Sequence, residues 1–251
     1  MSTQTPTSTI TPTGTLPTAT QTSTQVVSAT PTTCTLQFQD VPEGSTFYTF
    51  VRCMACRGIV NGYPCGGEGE PCGTTGDPYF RPGSNVTRGQ ISKIVANAAG
   101  FTAPVAGQMF EDVPVGSTFY EFVQRLSDRE IMSGYPCGNP EPCVAPGNRP
   151  YFRPGANATR GQLAKIVSNA ADLQGAVTGQ TFEDVEPGST FYEFIERLAA
   201  LGVMSGYLCG SPEPCIAPGN RPYFRPSNNV TRGQTSKIVA NTFFPGCDPT
   251  R

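Results

Sequence analysis

Residues 85–98 read NVTRGQISKIVANA, residues 157–170 NATRGQLAKIVSNA and residues 229–242 NVTRGQTSKIVANT. Successive copies are 72 residues apart, and each opens with Thr followed three residues later by Gln: Thr87/Gln90, Thr159/Gln162 and Thr231/Gln234. That is the capping-box spacing, in which the Thr hydroxyl accepts from the N3 amide and the Gln side chain reaches back to the cap. A helix is therefore expected from Arg88, from Arg160 and from Arg232. Gly89, Gly161 and Gly233 then fall in the first turn, where free backbone N–H groups and the positive dipole end meet. Arg beside an uncovered helix N-terminus suits a carboxylate or a phosphate. Gly in a helix costs about 1 kcal/mol relative to Ala, so its recurrence implies close backbone approach by a ligand or by a neighbouring module. Both alternatives stay open at this point.

Around these stretches a whole module recurs three times. Phe38, Phe110 and Phe182 begin F-x-D-V, followed by G-S-T-F-Y, a helical stretch, G-Y-x-C, P-Y-F-R-P and then T-R-G-Q. In the first helical stretch Phe47, Phe50, Val51 and Met54 form an i, i+3, i+4, i+7 stripe, repeated by Phe119, Phe122, Val123, Leu126 and by Phe191, Phe194, Ile195, Leu198. This face is expected in the core. Thr118 with Glu121 and Thr190 with Glu193 have capping-box spacing, whereas the first copy has Thr49 in place of the acid.

Composition narrows the function classes. The 251 residues include 28 Gly, 25 Pro and 10 Cys but no His and no Trp, and only 14% are charged. Without imidazole, Ser-His-Asp and Cys-His catalysis and His-based metal sites are excluded. A net charge of −2 supplies no global field for nucleic acid or anionic lipid. No stretch approaches the roughly 20 apolar residues of a membrane helix. The polar residues after Met1 do not resemble a secretion signal, so the chain reads as a mature or truncated piece. Ten cysteines in a Gly/Pro-rich chain still indicate an oxidising, extracellular compartment. Residues 1–33 hold 14 Thr, 4 Pro, 4 Ser and no charge, a disordered linker or an O-glycosylated stalk outside the fold.

The ordered set F-x-D-V, S-T-F-Y, G-Y, F-R-P and T-R-G-Q resembles the S-layer homology family in three tandem copies, over roughly Phe38 to Phe244. The resemblance implies a mainly α fold: one pseudo-threefold unit with a central helical bundle, short extended segments, long loops and grooves between repeats. It also implies noncovalent attachment to the cell envelope through secondary wall polysaccharide, often bearing pyruvylated amino sugars. The family's ligand arginine maps onto Arg88, Arg160 and Arg232, and a pyruvate ketal offers a carboxylate that a guanidinium can grip bidentately. Gln90, Gln162 and Gln234 stand where the family usually has Glu, and cysteine replaces the acidic residue of its G-Y-x-D-G turn. In the absence of Trp, the rings available for sugar stacking are Tyr63, Tyr135 and Tyr207, with turn packing as their alternative role.

The remaining chemistry-bearing residues are sorted by the repeat. Cys65/Cys72, Cys137/Cys143 and Cys209/Cys215 bracket one Gly/Pro-rich loop per module and are expected to pair locally. Shifting Cys34 and Cys247 by whole repeats lands on Ala106 and Ala103, so closure of the ring predicts a Cys34–Cys247 bond. Cys53 and Cys56 fall opposite the apolar stripe, near the surface, where a Cys53–Cys56 bond is expected over a redox motif or a zinc site with Cys65 and Cys72. Asp40, Asp112 and Asp184 precede the first helices as loop caps or ligand contacts. Glu111 and Glu183 beside two of them do not make a glycosidase pair, because neighbours in an extended segment point apart. Arg81, Arg153 and Arg225 and Lys93, Lys165 and Lys237 are either secondary ligand contacts or solvated charges. Asn85, Asn157 and Asn229 begin sequons whose Thr is already the helix cap.

The expected domains are a stalk (1–33), three repeats (34–101, 102–173 and 174–247) and a tail (248–251). The expected function is a noncatalytic, cofactor-free and metal-free envelope anchor at the cell surface or wall, monomeric as a pseudo-trimer. It would bind an acidic wall polysaccharide, with no nucleic acid and no membrane insertion. The alternative is a surface-layer or protein-interaction module without glycan recognition.

Overall fold

The computed structural model describes residues 34–138, 140–210 and 212–247; the expected stalk and tail lie outside them. The described chain is mainly helical, with six helices: α1 (Tyr48–Cys56), α2 (Arg88–Ala98), α3 (Tyr120–Ser127), α4 (Arg160–Ala170), α5 (Tyr192–Ala200) and α6 (Arg232–Phe243). Extended structure among the described residues is confined to isolated bridges such as Tyr63 with Tyr79 and Asn85 with Thr231.

Local sequence sets where α2, α4 and α6 begin. Thr87, Thr159 and Thr231 are extended N-caps, and each forms both halves of its capping box with the Gln three residues on. The other three helices begin differently from expectation. Phe119 and Phe191 are the N-caps of α3 and α5 and make no side-chain cap bond. A turn closed by Tyr120 N–H on the Ser117 carbonyl brings the chain in already near helical geometry, so Thr118 is not the cap. Glu121 and Glu193 instead pair with Arg125 and Arg197 at 2.8 Å, one turn along the helix.

Helix packing runs between repeats. α2 packs on α3, α4 on α5 and α6 on α1, while α2, α4 and α6 pack on one another. At the centre, three backbone bonds of 3.0 Å form a closed cycle: Val86 N–H to Val230, Val230 N–H to Ala158, and Ala158 N–H to Val86. All three residues are fully buried. Of the stripe expected in the core, Val51, Met54, Val123, Leu126, Ile195 and Leu198 are completely buried, while Phe47, Phe50, Phe119, Phe122, Phe191 and Phe194 are half-buried against it. Under it sit the tilted ring pairs Phe38–Phe80, Phe110–Phe152 and Phe182–Phe224, with centroids 5.1–5.3 Å apart. Since each apolar helix face is covered largely by the next repeat, the repeats form one shared core.

All ten cysteines are paired. Cys65–Cys72, Cys137–Cys143 and Cys209–Cys215 pin the three long loops. The other two pairings differ from expectation: Cys34 is bonded to Cys56 and Cys53 to Cys247. Neither a Cys34–Cys247 nor a Cys53–Cys56 bond forms. Residues three apart on a helix hold their Cβ atoms about 5–6 Å apart, beyond the roughly 3.5–4.5 Å a disulfide needs. Cys53 is also fully buried rather than near the surface, because the chain's closing segment covers it. Cys53 and Cys56 are bonded to other cysteines, as are Cys65 and Cys72 to each other, so neither a C-x-x-C redox pair nor the four-cysteine zinc cluster is assembled.

Candidate functional site

The F-R-P turn positions much of the site. Arg81, Arg153 and Arg225 sit in the left-handed region at φ 60°, 59° and 61°, which non-glycine residues seldom adopt. Two-pronged carboxylates hold them there. Asp40 accepts from the Phe80 and Arg81 amides at 2.7 and 2.6 Å, and Asp112 and Asp184 do the same at Phe152/Arg153 and Phe224/Arg225. These aspartates are loop caps, and both oxygens of each are engaged. The arginines then fork onto Glu70, Glu141 and Glu213 with bonds of 2.6–2.7 Å. Those ion pairs hold the three glutamate carboxyls below their ordinary range. Glu111 and Glu183 face Arg149 and Arg221.

The helix N-termini are closed to ligands. Arg88 and Gly89 amides donate to the carbonyls of Ala156 and Pro154, Arg160 and Gly161 to Asn228 and Pro226, and Arg232 and Gly233 to Ser84 and Pro82. Thr hydroxyls take the next amides, Gln90, Gln162 and Gln234. The close approach behind the three glycines is that of a neighbouring repeat. A Cβ on Gly89, Gly161 or Gly233 would stand 2.5 Å from the ring of Phe119, Phe191 or Phe47. Gly89, Gly161 and Gly233 thus serve repeat packing, a role that leaves no donor for an anion.

The key arginines cross repeat boundaries. Arg88 donates from Nε to Phe152 O and from Nη2 to Ser133 O; Arg160 does so to Phe224 and Ser205, and Arg232 to Phe80 and Asn61. Each is 5–7% exposed, and no carboxylate pairs with any of them among the described residues. Burial pushes each guanidinium down from its ordinary value; the neighbouring tyrosine opposes this and the F-R-P arginine adds to it. Arginine nevertheless stays protonated, so three buried positive charges rest on carbonyl dipoles and on the faces of neighbouring tyrosine and phenylalanine rings, with no anion beside them among the described residues. Nη1 of each has no protein acceptor among the described residues.

Three pockets of similar size surround these groups. The first, about 220 Å³, is lined by Tyr63, Gln90 and Lys93 of repeat one, Thr118 and Phe119 of repeat two, and Arg232 of repeat three. The second, about 210 Å³, has Tyr135, Gln162 and Lys165 with Thr190, Phe191 and Arg88. The third, about 190 Å³, has Tyr207, Gln234 and Lys237 with Thr46, Phe47 and Arg160. Each pocket draws on all three repeats, and no carboxylate lines any of them. Lys93, Lys165 and Lys237 are half-buried over Phe122, Phe194 and Phe50 at 5.6–5.8 Å. They form no ion pair among the described residues. A larger apolar hollow of about 580 Å³ beside Met109, Met132 and Pro150 has no such pair of cations.

The structure therefore brings Arg and Tyr together in every pocket, but from different repeats. The tyrosine rings are already flanked by guanidinium groups: Tyr63 lies 4.1 Å from Arg81 and 4.9 Å from Arg232. Tyr135 and Tyr207 repeat the pattern, so these rings are cation platforms more than open stacking surfaces. Phe47, Phe119 and Phe191, read from the sequence only as core, also form pocket wall. The lysines were visible in the sequence through their 72-residue recurrence, but nothing local separated them from ordinary surface charge.

Among the described residues no helix is long and apolar enough to cross a membrane. The S-layer homology domain matches residues 110–164 and 181–236, each running from an F-x-D-V segment into the following capped helix. The first repeat, with the same motifs, lies upstream of both matches. Cell surface glycoprotein 1 of Acetivibrio thermocellus is 24% identical over 199 residues, which cover 73% of this chain and 7% of that protein. The chain thus spans a small part of that relative's length. Two segments of the chain match the S-layer homology domain, and together with this relative they support a place at the cell surface.

Proposed function

We propose that the chain is a noncatalytic envelope-anchoring module. Its three repeats are arranged about a pseudo-threefold axis and bind an acidic wall polysaccharide in the pockets between them. The observation that carries this reading is the buried guanidinium without a carboxylate partner, found three times and each time beside a lysine equally free of one. A charge held out of water is costly unless paired, and a carboxylate on a sugar would supply the missing partner. The anion meets side-chain donors, Arg Nη1 and Lys Nζ, rather than the helix amides. Three modest contacts on one polymer give avidity well above that of a single pocket. The closed backbone cycle through Val86, Val230 and Ala158 supports the pseudo-threefold arrangement.

The test is co-sedimentation of the chain with envelope sacculi, beside sacculi whose glycan carboxylates have been reduced to alcohols. Binding to the first and loss on the second supports the reading. Equal binding to both moves the function to protein partners or surface-lattice assembly.

A further inference from the structure

The two disulfides outside the loops converge on α1. Cys34 is bonded to Cys56 with Cα atoms 5.7 Å apart, and Cys247 to Cys53 at 6.0 Å. Only Met54 and Ala55 lie between the two attachment points. Along the main chain, residues 34 and 247 are separated by all three repeats; by the shortest covalent route they are separated by two disulfides and three peptide links of one helix.

The other first helices show what this junction replaces. One and two repeats downstream, the position of Cys53 is taken by Arg125 and Arg197. The position of Cys247 is taken by Gly175 and Ala103, one and two repeats upstream of its own place. Arg125 Nε donates to Ala103 O at 3.0 Å and Arg197 Nε to Gly175 O at 3.2 Å, so each helix holds the continuous linker passing over it. On α1 that linker is interrupted, and a covalent bond stands where the hydrogen bond would be. Side chains brace it: Arg52 donates to the Cys34 carbonyl, Arg57 Nη1 to the Cys53 carbonyl at 3.2 Å, and the Arg57 guanidinium lies 4.9 Å from the Phe244 ring.

We propose that this junction bears tension. A pull between the segments flanking residues 34 and 247 passes through Cys34–Cys56, residues 53–56 and Cys53–Cys247. The repeats and their pockets are left unloaded. With both bonds intact the two Cα atoms cannot separate beyond about 25 Å even if every helix melts, since each peptide link spans about 3.8 Å. Without them the same flanks separate at about 3.5 Å per residue over the whole fold.

Single-molecule stretching of the full chain, with handles fused to both ends, tests this by the total contour length reached at high force. The oxidised chain is expected to release less than about 3 nm from the fold. A dithiol, which gives two electrons and two protons to each disulfide and becomes a cyclic disulfide itself, should add about 70 nm. Oxidised Cys53→Ser/Cys247→Ser should gain about 60 nm, but Cys34→Ser/Cys56→Ser only about 5 nm. Total length is read whether or not a variant folds. Release of tens of nanometres from the oxidised parent chain, or no gain on reduction, would overturn the proposal.

Discussion

The Nε of Arg232 donates to the carbonyl oxygen of Phe80 at 2.7 Å, joining residues 152 apart in sequence and the last repeat to the first. Its Nη2 bonds Asn61 O in the same way. The residue that offers charge to a pocket therefore also holds the repeats together. Arg232→Ala leaves two carbonyls without their donor, one of them on the buried Phe80, and should cost about 2–4 kcal/mol. Arg232→Lys should recover little of this, because an ammonium cannot reproduce the forked geometry. Denaturant unfolding checks both, and a neutral Arg232→Ala would remove the structural half of the account.

Gly161→Ala should destabilise, although the same change in an exposed helix interior usually stabilises by about 1 kcal/mol. The new methyl would stand 2.5 Å from the Phe191 ring, and overpacking of this kind costs about 1–3 kcal/mol. In a Phe191→Leu background the penalty should shrink. A double-mutant cycle by thermal unfolding measures the coupling, expected at about 1 kcal/mol or more.

Asp112→Asn should cost about 2 kcal/mol or more, because one of the two amides on the F-R-P turn then faces an NH2 group instead of a carboxylate oxygen. Arg153 loses its hold in the left-handed region, and the Tyr135–Tyr151 bridge beside it should exchange amide hydrogen faster. Hydrogen-exchange mass spectrometry of residues 134–153 reads this directly.

How much of this was legible in the sequence follows from the range of each interaction. Thr87 and Gln90 lie three residues apart and settle their own geometry, so the starts of α2, α4 and α6 were legible in the sequence. The same three-residue spacing misled at Thr118 and Glu121, where the Ser117 turn sets the entry. Arg88 and Gly89 recurred conspicuously, yet their acceptors, Phe152 O and Pro154 O, lie in the next repeat. Only the threading of repeats through one another shows that the helix amides are already taken. The cysteines show the same limit: the repeat arithmetic paired Cys34 with Cys247, whereas each bonds to a different cysteine of α1.

Stability should fall in acid through Glu70, Glu141 and Glu213, whose carboxyls are held low chiefly by hydrogen bonds from Arg81, Arg153 and Arg225. A carboxyl with a depressed folded pKa contributes stability that is fully present above its unfolded value, near pH 4, and lost as pH falls through the folded one. Glu141→Gln should flatten the acid limb of a stability–pH curve and leave the curve's shape near neutrality unchanged. An unchanged acid limb would mean that the pair contributes nothing to the loop.

The most direct test of anionic-glycan binding leaves the arginines in place, since they also carry the fold. Lys93→Ala/Lys165→Ala/Lys237→Ala removes one cation from each pocket at a cost of only about 0.5–1 kcal/mol per lost ring contact. Binding of purified acidic wall polysaccharide should weaken at least about tenfold, the equivalent of about 1.4 kcal/mol. The parent's affinity should fall with added salt more steeply than the variant's. Equal affinity and equal salt dependence in parent and triple variant, both folded, would contradict the account.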